Sequence, residues 1–430
     1  MTRGRGTVAW PMPLLSLVLP AIAIMAVVAF GLVGLFDMPV GWPRVSASVH
    51  DQLLLAGPIA AMASYFYCSN LAGPRALLAL PTAPRVGHVS VLRSFALLLS
   101  WMLSAYLLPF VPLFVYMAAS ATYGSIDVFA ALAGVTGMAL AVALGCVLGT
   151  ALPYPVLAPA AAVLVFLLFQ LPNVAFPAAA AFVPTLGHNP MMLGVAENPV
   201  LVAYRLVAML VLTAFAVGLG GLLARRARSN ELVSWRTGGA LCAVVLLVAV
   251  PLINPPRVVV ADENPPEVCR SVEGVQVCLH QGHQRMLDTV VPVVRDLVQA
   301  YGGRPDYLTA VYGSSLHPPD GRTIVVFTPY TTAAPKTVMA ASVANHLAGI
   351  GSCRAALSAD RISVHEYQVR AAERYVLAAW LRQRAGVAGE RVPASAATFF
   401  EETNTSGQPR SWFAAHGQEL AGCAPLQGAV

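Results

Sequence analysis

The feature that most restricts the fold of this chain is a series of long apolar runs that ends at residue 253. The last run, Thr237–Ile253, carries no charged residue, follows the basic stretch Ala224–Arg228 and is stopped by an Asn-Pro-Pro sequence. At about 1.5 Å per residue, it is close to the shortest helix that can cross a bilayer core. We therefore interpret it as the last membrane crossing, with a water-soluble domain after it.

Seven runs of this kind predict a polytopic α-helical membrane protein. The first run is long for a cleaved signal peptide and lacks an obvious small-residue cleavage site, so we count it as a crossing. The predicted domains are a six-crossing membrane domain (1–236), a seventh transmembrane helix (237–253) and an extracytoplasmic domain (254–430). The runs are Pro13–Phe36, Leu53–Tyr67, Ser94–Met117, Val128–Leu152, Pro155–Leu171, Pro199–Leu223 and Thr237–Ile253.

The charges separate at the same boundary. Only 11% of the 430 residues are charged, whereas a soluble domain carries about 25%. Residues 254–430 hold 15 basic and 15 acidic side chains, so the first 253 residues carry the whole net charge of +6. Because this basic excess lies in the membrane half, we attribute it to membrane topology and expect no nucleic-acid partner.

The arginines predict the orientation. If the runs alternate from a cytoplasmic N-terminus, nine arginines fall on inside segments and one, Arg44, falls outside. Such a bias is the positive-inside pattern of a multi-pass protein of the cell membrane. An odd number of crossings then places residues 254–430 outside the cell. The nine inside arginines are Arg3, Arg5, Arg75, Arg85, Arg93, Arg225, Arg226, Arg228 and Arg236.

The cysteines point to the same side. Three lie in apolar runs, where we expect small buried hydrophobic side chains, and four follow the last crossing. An even number in one soluble segment suggests two disulfides in an oxidising compartment. If Glu273-Gly274 is a two-residue hairpin turn, Cys269 faces Cys278 at a spacing that a disulfide accepts. That pairing leaves Cys353 to bond Cys423.

The rest of the outer segment predicts a small α+β domain. Strands are expected at Tyr307–Tyr312 and Thr323–Thr328, and helices at Met286–Ala300, Lys336–Ile350 and Glu366–Arg384. The predicted fold is therefore a six-helix permease-like bundle with a seventh crossing and a disulfide-bonded α+β extracytoplasmic domain.

Motifs for catalysis are missing from the sequence. A phosphate-binding loop needs a lysine in a glycine-rich turn, but the one lysine, Lys336, follows Ala-Ala-Pro. His280 and His283 lack further ligands at zinc-site spacing, and neither His-Glu-x-x-His nor Gly-x-Ser-x-Gly occurs. We predict no catalytic residue, no metal and no cofactor, with an anchored extracytoplasmic hydrolase as a minor alternative.

Three features of the membrane half are candidates for function. The inside loop Ser69–His88 contains a short helix candidate, Pro74–Leu80, and is either a linker or a partner-binding element. The outside segment Pro172–Asn198 is nearly uncharged and broken by prolines, which suits a re-entrant or interface-lying hairpin. Arg205 lies early in the sixth run and either extends to the interface or lines a translocation path.

These features resemble the permease subunit of type-2 ATP-binding-cassette exporters. The resemblance covers about residues 1–223 and rests on the basic N-terminus, the basic inside loop with its short helix, and the uncharged outside segment before crossing six. It implies a separate cytoplasmic ATPase, docked on a coupling loop with Arg75, Leu77, Leu80 and Arg85, and a second permease subunit. The alanine-rich, lysine-poor composition resembles bacterial proteins from high-GC genomes.

The function implied by the resemblance is export of an apolar or amphipathic compound. The added crossing and the outer domain depart from the usual permease. A membrane-anchored sensor or binding protein that acts through residues 254–430 is therefore the alternative. The sequence leaves the transported compound, the direction of transport and the identity of the second permease subunit open.

Overall fold

The structure is a computed structural model, and it describes residues 14–36, 41–72, 86–121, 123–175, 181–185, 193–226, 257–262, 264–305, 308–316, 323–326, 335–387 and 409–426. The chain is mostly helical, with a small sheet region and two disulfides. It divides into two compact units with a boundary between Ala261 and Asp262. The predicted boundary at residue 253 falls slightly before this point.

The first unit, called the membrane unit below, contains eight α-helices and two short strands among its described residues. Five helices (α1, α4, α6, α7 and α8) are long and apolar enough to cross a membrane, as expected of a helical membrane protein. The elements are α1 Leu14–Phe36, α2 Trp42–Asp51, α3 Leu53–Ala72, α4 Val86–Leu107, α5 Phe110–Ser120, α6 Val128–Ala151, α7 Ala158–Ala175, β1 Val195–Glu197, α8 Pro199–Arg226 and β2 Val259–Ala261.

The third and the seventh predicted crossings do not match this set. The third run, Ser94–Met117, is not one helix, because it is divided at Leu108-Pro109 into α4 and the 11-residue α5. Proline has no N–H and its ring clashes with the preceding turn, so it breaks the helical ladder. The seventh run, Thr237–Ile253, lies outside the described residues, so the seven-crossing arrangement stays a prediction.

Helix α3 covers the second run but is not among the five spanning candidates. It packs on α1, α6 and α7, and several of its polar side chains, including Ser64 and Ser69, are buried. Close packing on α6 depends on glycine, since a Cβ at Gly149 would lie 2.5 Å from the Tyr65 carbonyl oxygen and one at Gly145 would clash with Ala61. Small residues at a four-residue interval allow such close approach of membrane helices.

The helices give the membrane unit two distinct ends. At one end, the Tyr65 hydroxyl of α3 donates to the Leu152 carbonyl just after α6, and His88 at the start of α4 touches Gly221 near the end of α8. We call this the basic end, because the segment 73–85, which contains Arg75 and Arg85, begins and ends here. At the other end, the strand end, the Asp127 N–H before α6 donates to the Ser46 hydroxyl of α2.

The second unit contains a four-stranded sheet in the order β3-β4-β5-β6. β3 and β4 are antiparallel, whereas β4–β5 and β5–β6 are parallel, and α9 connects β4 to β5. Buried side chains of β4, α9, α10 and α12 form the core. The elements are β3 Glu267–Val272, β4 Val275–His280, α9 Leu287–Tyr301, β5 Ala310–Gly313, β6 Thr323–Val326, α10 Pro335–Leu347, α11 Ile350–Ser358, α12 Val364–Arg384 and α13 Pro409–Gly422.

The predicted hairpin is confirmed in register. Cys269 pairs with Cys278 and Val272 with Val275, and both turn residues, Glu273 and Gly274, have positive φ as a type I′ turn requires. Both predicted disulfides are present, with Cα–Cα distances of 4.1 Å for Cys269–Cys278 and 4.8 Å for Cys353–Cys423.

The helices after the sheet correct one prediction and add two elements. The predicted helix Lys336–Ile350 ends at Leu347, because Gly349 adopts a left-handed conformation (φ 76°) and α11 starts anew at Ile350. Neither α11 nor α13 was predicted. The buried Arg374 of α12 donates to the carbonyls of Glu419 and Ala424, which holds the end of α13 against α12.

Candidate functional site

Of the residues predicted to have a role, only one lies in a described region with charged partners inside the membrane unit. Arg75, Leu77, Leu80 and Arg85 of the predicted coupling loop lie outside the described residues. The four outer cysteines are bonded in pairs, so their role is structural. Arg205 of α8 is the remaining candidate.

Arg205 is buried within the protein. Its side chain is 1% exposed, and its Nη1 lies 3.9 Å from Oε2 of Glu197, which is itself 3% exposed. The interpretation that Arg205 extends to the interface is therefore wrong, because the guanidinium is directed toward a carboxylate inside the unit. Burial of an arginine at this position is compensated by the opposite charge.

His50 of α2 is the second partner of Glu197. Its ring is fully buried, and Nε2 lies 2.7 Å from Oε1 of Glu197. Nδ1 lies 4.0 Å from the half-exposed carboxylate of Asp51 and has no hydrogen-bond partner among the described residues. Since the Glu197 carboxylate accepts, Nε2 carries a proton. We call His50, Glu197 and Arg205 the ionic cluster.

Two neighbouring helices fix the position of His50. Helix α2 starts with proline in its first turn, a favoured position because the missing N–H needs no partner there. At its other end, the Tyr106 hydroxyl of α4 donates to the Val49 carbonyl. Helix α6 comes equally close, since a Cβ at Gly134 would lie 2.7 Å from the same oxygen. His50 follows directly and is thereby held in a buried position at the strand end.

Glu197 is positioned by the strand pair. It is the last residue of β1 and lies opposite Val259 of β2. The next residue, Asn198, accepts from the Val200 N–H with its side-chain oxygen and so caps α8. Arg205 follows on that helix. One short stretch therefore joins β1, β2 and the start of α8 around the cluster.

The outside segment Pro172–Asn198 was expected to form a re-entrant or interface-lying hairpin. Between the end of α7 and residue 193, the structure describes residues 181–185, which are mostly buried. The Thr185 hydroxyl donates to the Phe169 carbonyl of α7, and a Cβ at Gly137 of α6 would lie 2.8 Å from Pro184. Both contacts are made with residues in the middle of α6 and α7, not with the first turns of these helices. The strand β1 was not predicted, and residues 176–180 and 186–192 lie outside the described residues.

The chemistry of the ionic cluster is electrostatic. The negative charge of the Glu197 carboxylate balances the positive charge of the Arg205 guanidinium, and the His50 ring lies beside them. None of the three side chains is a nucleophile of the serine or cysteine type. In the described part of the second unit, the one grouping of metal-ligating side chains is Glu267 with Cys269 and Cys278, whose sulfurs are bonded to each other. His280 is also engaged, because its Nδ1 accepts from the Gly282 N–H, and burial lowers its pKa.

Sequence reasoning found Arg205 but missed His50 and Glu197. Glu197 was not singled out, although an acid just before a membrane helix with an arginine eight residues later is a recognisable pair. His50 gave no comparable signal, because its partner lies 147 residues away. A search among family models, curated proteins and solved structures finds no match for this chain.

Proposed function

We propose that this chain is the membrane-spanning subunit of an ATP-binding-cassette exporter and works with a separate cytoplasmic ATPase. The observation that carries the proposal is the chemical difference between the two ends of the membrane unit. Loop 73–85, with its arginines, joins α3 to α4 at the basic end. The buried ionic cluster lies at the strand end. An energy-coupling loop on one side and a closed, charged site on the other suit a permease.

The connection between α8 and β2 supports a seventh crossing. The chain leaves α8 at Arg226, at the basic end. It is next described at Arg257 and Val258, whose carbonyls accept hydrogen bonds from Asn198 at the strand end. With 28 residues, α8 is about 42 Å long, more than the roughly 30 Å hydrocarbon core. Residues 227–256 therefore join opposite ends of the unit, as a crossing by Thr237–Ile253 requires.

The orientation follows from the same two ends. The basic end carries Arg93, Arg225 and Arg226 in its helices, so the positive-inside rule assigns it to the cytoplasm. The strand end, and the unit that begins at Asp262, then lie outside. Disulfides in that unit agree, since they persist in oxidising compartments.

The proposed mechanism is alternating access by two such subunits. ATP binding and hydrolysis in the partner act on the loop with Arg75, Leu77, Leu80 and Arg85, and the helices that flank it transmit the movement. Buried ionisable side chains in a membrane bundle line substrate paths or control their closure. An apolar or amphipathic compound that leaves through the bundle is the substrate class that the apolar helices accommodate.

The test is affinity purification of the protein from detergent-solubilised native membranes, with identification of co-purifying proteins by mass. We expect a stoichiometric partner with a phosphate-binding loop. Scrambling Pro74–Leu80, or the variant Arg75→Ala/Arg85→Ala, should abolish the interaction. The matched control is Arg354→Ala/Arg361→Ala, which removes two exposed arginines of the second unit and should retain the partner.

Two results contradict the proposal. If the protein purifies alone or only with extracytoplasmic proteins, the permease function fails and the sensor function takes its place. If the ATPase remains bound after Pro74–Leu80 is scrambled, the assignment of the coupling loop fails.

A further inference from the structure

We propose that β1 and β2 form a strap that closes over α2 at the strand end, and that the ionic cluster holds it shut. The strap consists of Val195–Glu197 and Val259–Ala261. This inference concerns the membrane unit alone and does not depend on the ATPase partner.

The strap rests on one face of α2 through both of its strands. Val258 and Val259, at the start of β2, pack on the buried side chain of Ala47. Glu197 of β1 contacts His50 at 2.7 Å. Ala47 and His50 are three residues apart, so they lie next to each other on the same helix face. An apolar contact and a charged contact therefore hold the strap at adjacent points.

The strap is also fastened to the start of α8. The Asn198 backbone N–H donates to the Val258 carbonyl at 3.1 Å, and its side-chain amide donates to the Arg257 carbonyl at 3.1 Å. The same side chain caps α8 by accepting from Val200. Opening of the strap would therefore disturb the first turn of α8 as well as α2.

The ionic cluster, rather than the strand pairing, keeps the strap closed. Each strand has three residues, and an isolated two-stranded ribbon is marginally stable in water. The apolar contact on α2 is a single alanine methyl. Glu197 is the buried group that contacts both α2 and α8, so loss of its charge removes the carboxylate 3.9 Å from the Arg205 guanidinium and favours the open strap.

The experiment measures whether the α2 face beneath the strap is covered. Ala47 is 2% exposed, so a cysteine placed there by Ala47→Cys should react slowly with a water-soluble maleimide in the purified full-length protein. Adding Glu197→Gln should raise the labelling rate at least tenfold. Adding Glu267→Gln, the same change at an exposed position of β3, should leave the rate unchanged. The parent chain, with buried Cys68 and Cys146, supplies the background.

Two buried native thiols separate strap opening from misfolding. Cys68 and Cys146 are buried in the membrane unit and lie outside α2 and the strap. With labelling measured peptide by peptide, both should stay as slow to react in the Ala47→Cys/Glu197→Gln protein as in the parent chain, whereas a misfolded unit would expose them. The proposal is overturned if Glu197→Gln leaves the labelling rate at position 47 unchanged, or if Cys68 and Cys146 become reactive together with that position.

Discussion

A double-mutant cycle on Glu197 and Arg205 gives the sharpest quantitative prediction. The two charged groups lie 3.9 Å apart, with side chains 3% and 1% exposed. At an effective dielectric constant of about 20, two unit charges at this distance attract each other by about 4 kcal/mol. Removal of the carboxylate leaves the buried guanidinium without its partner at 3.9 Å, which costs about 3–5 kcal/mol.

The variants are Glu197→Gln, Arg205→Met and the double variant. Glu197→Gln should reduce the free energy of unfolding by about 3–5 kcal/mol, because Arg205 stays buried without its carboxylate. Arg205→Met should cost less, since His50 still contacts Glu197. The double variant should be more stable than Glu197→Gln alone, because a buried pair can be replaced by uncharged side chains at little cost.

The assay is unfolding of the full chain by SDS in detergent micelles, in a Cys242→Ala background, followed by reaction of Cys68 and Cys146 with a thiol-reactive dye. Both thiols are buried in the folded membrane unit, so they report its opening directly. The reasoning is refuted if each single variant changes the unfolding free energy by less than about 0.5 kcal/mol, as surface substitutions do, and the two effects simply add.

Three further predictions concern packing, the disulfides and a helix cap. Gly149→Leu should separate α3 from α6 and cost about 1–3 kcal/mol, whereas Gly218→Leu, with no neighbour within 4 Å of its Cβ, should be tolerated in the same SDS assay. Cys353→Ser opens a bridge between residues 70 apart and should cost the second unit about 4 kcal/mol, seen as a lower midpoint in urea. Ser363→Ala should cost about 1 kcal/mol. Hydrogen bonds from the Ser363 backbone N–H and hydroxyl lower the pKa of Glu366, so the contribution of the Glu366 carboxylate is present above the ordinary pKa of a glutamate and is lost as the pH falls through the lowered pKa. NMR of α12 amides during acidification should show this loss. The loss should be smaller in the variant, which keeps the backbone hydrogen bond.

Local chemistry explains which parts of the fold could be predicted. The register of the β3–β4 hairpin follows from a turn of Glu273 and Gly274 and from side-chain alternation, all within a few residues. The disulfide Cys269–Cys278 follows from that register. Membrane helices are predictable for a similar reason, because a lipid-facing helix must be apolar along its whole length.

The ionic cluster and the strap depend on contacts distant in sequence. Three-residue strands carry too little pattern to be recognised, and Val195 pairs with Ala261 across the whole of α8. Helix α2 lies in a segment that hydropathy alone assigns to a loop. Hydropathy also cannot detect the break at Pro109, because the residues on both sides are equally apolar.

The sidedness of the membrane unit is the claim on which the proposed function most depends, and cysteine labelling in intact cells tests it directly. Ile126, before α6, and Tyr154, after it, are 37% and 62% exposed and lie at opposite ends of the unit. With a membrane-impermeant maleimide and the parent chain as background, we predict that the Ile126→Cys protein is labelled in intact cells and the Tyr154→Cys protein only after permeabilisation. Labelling of the Tyr154→Cys protein from outside, or of both proteins from the same side, would contradict the account.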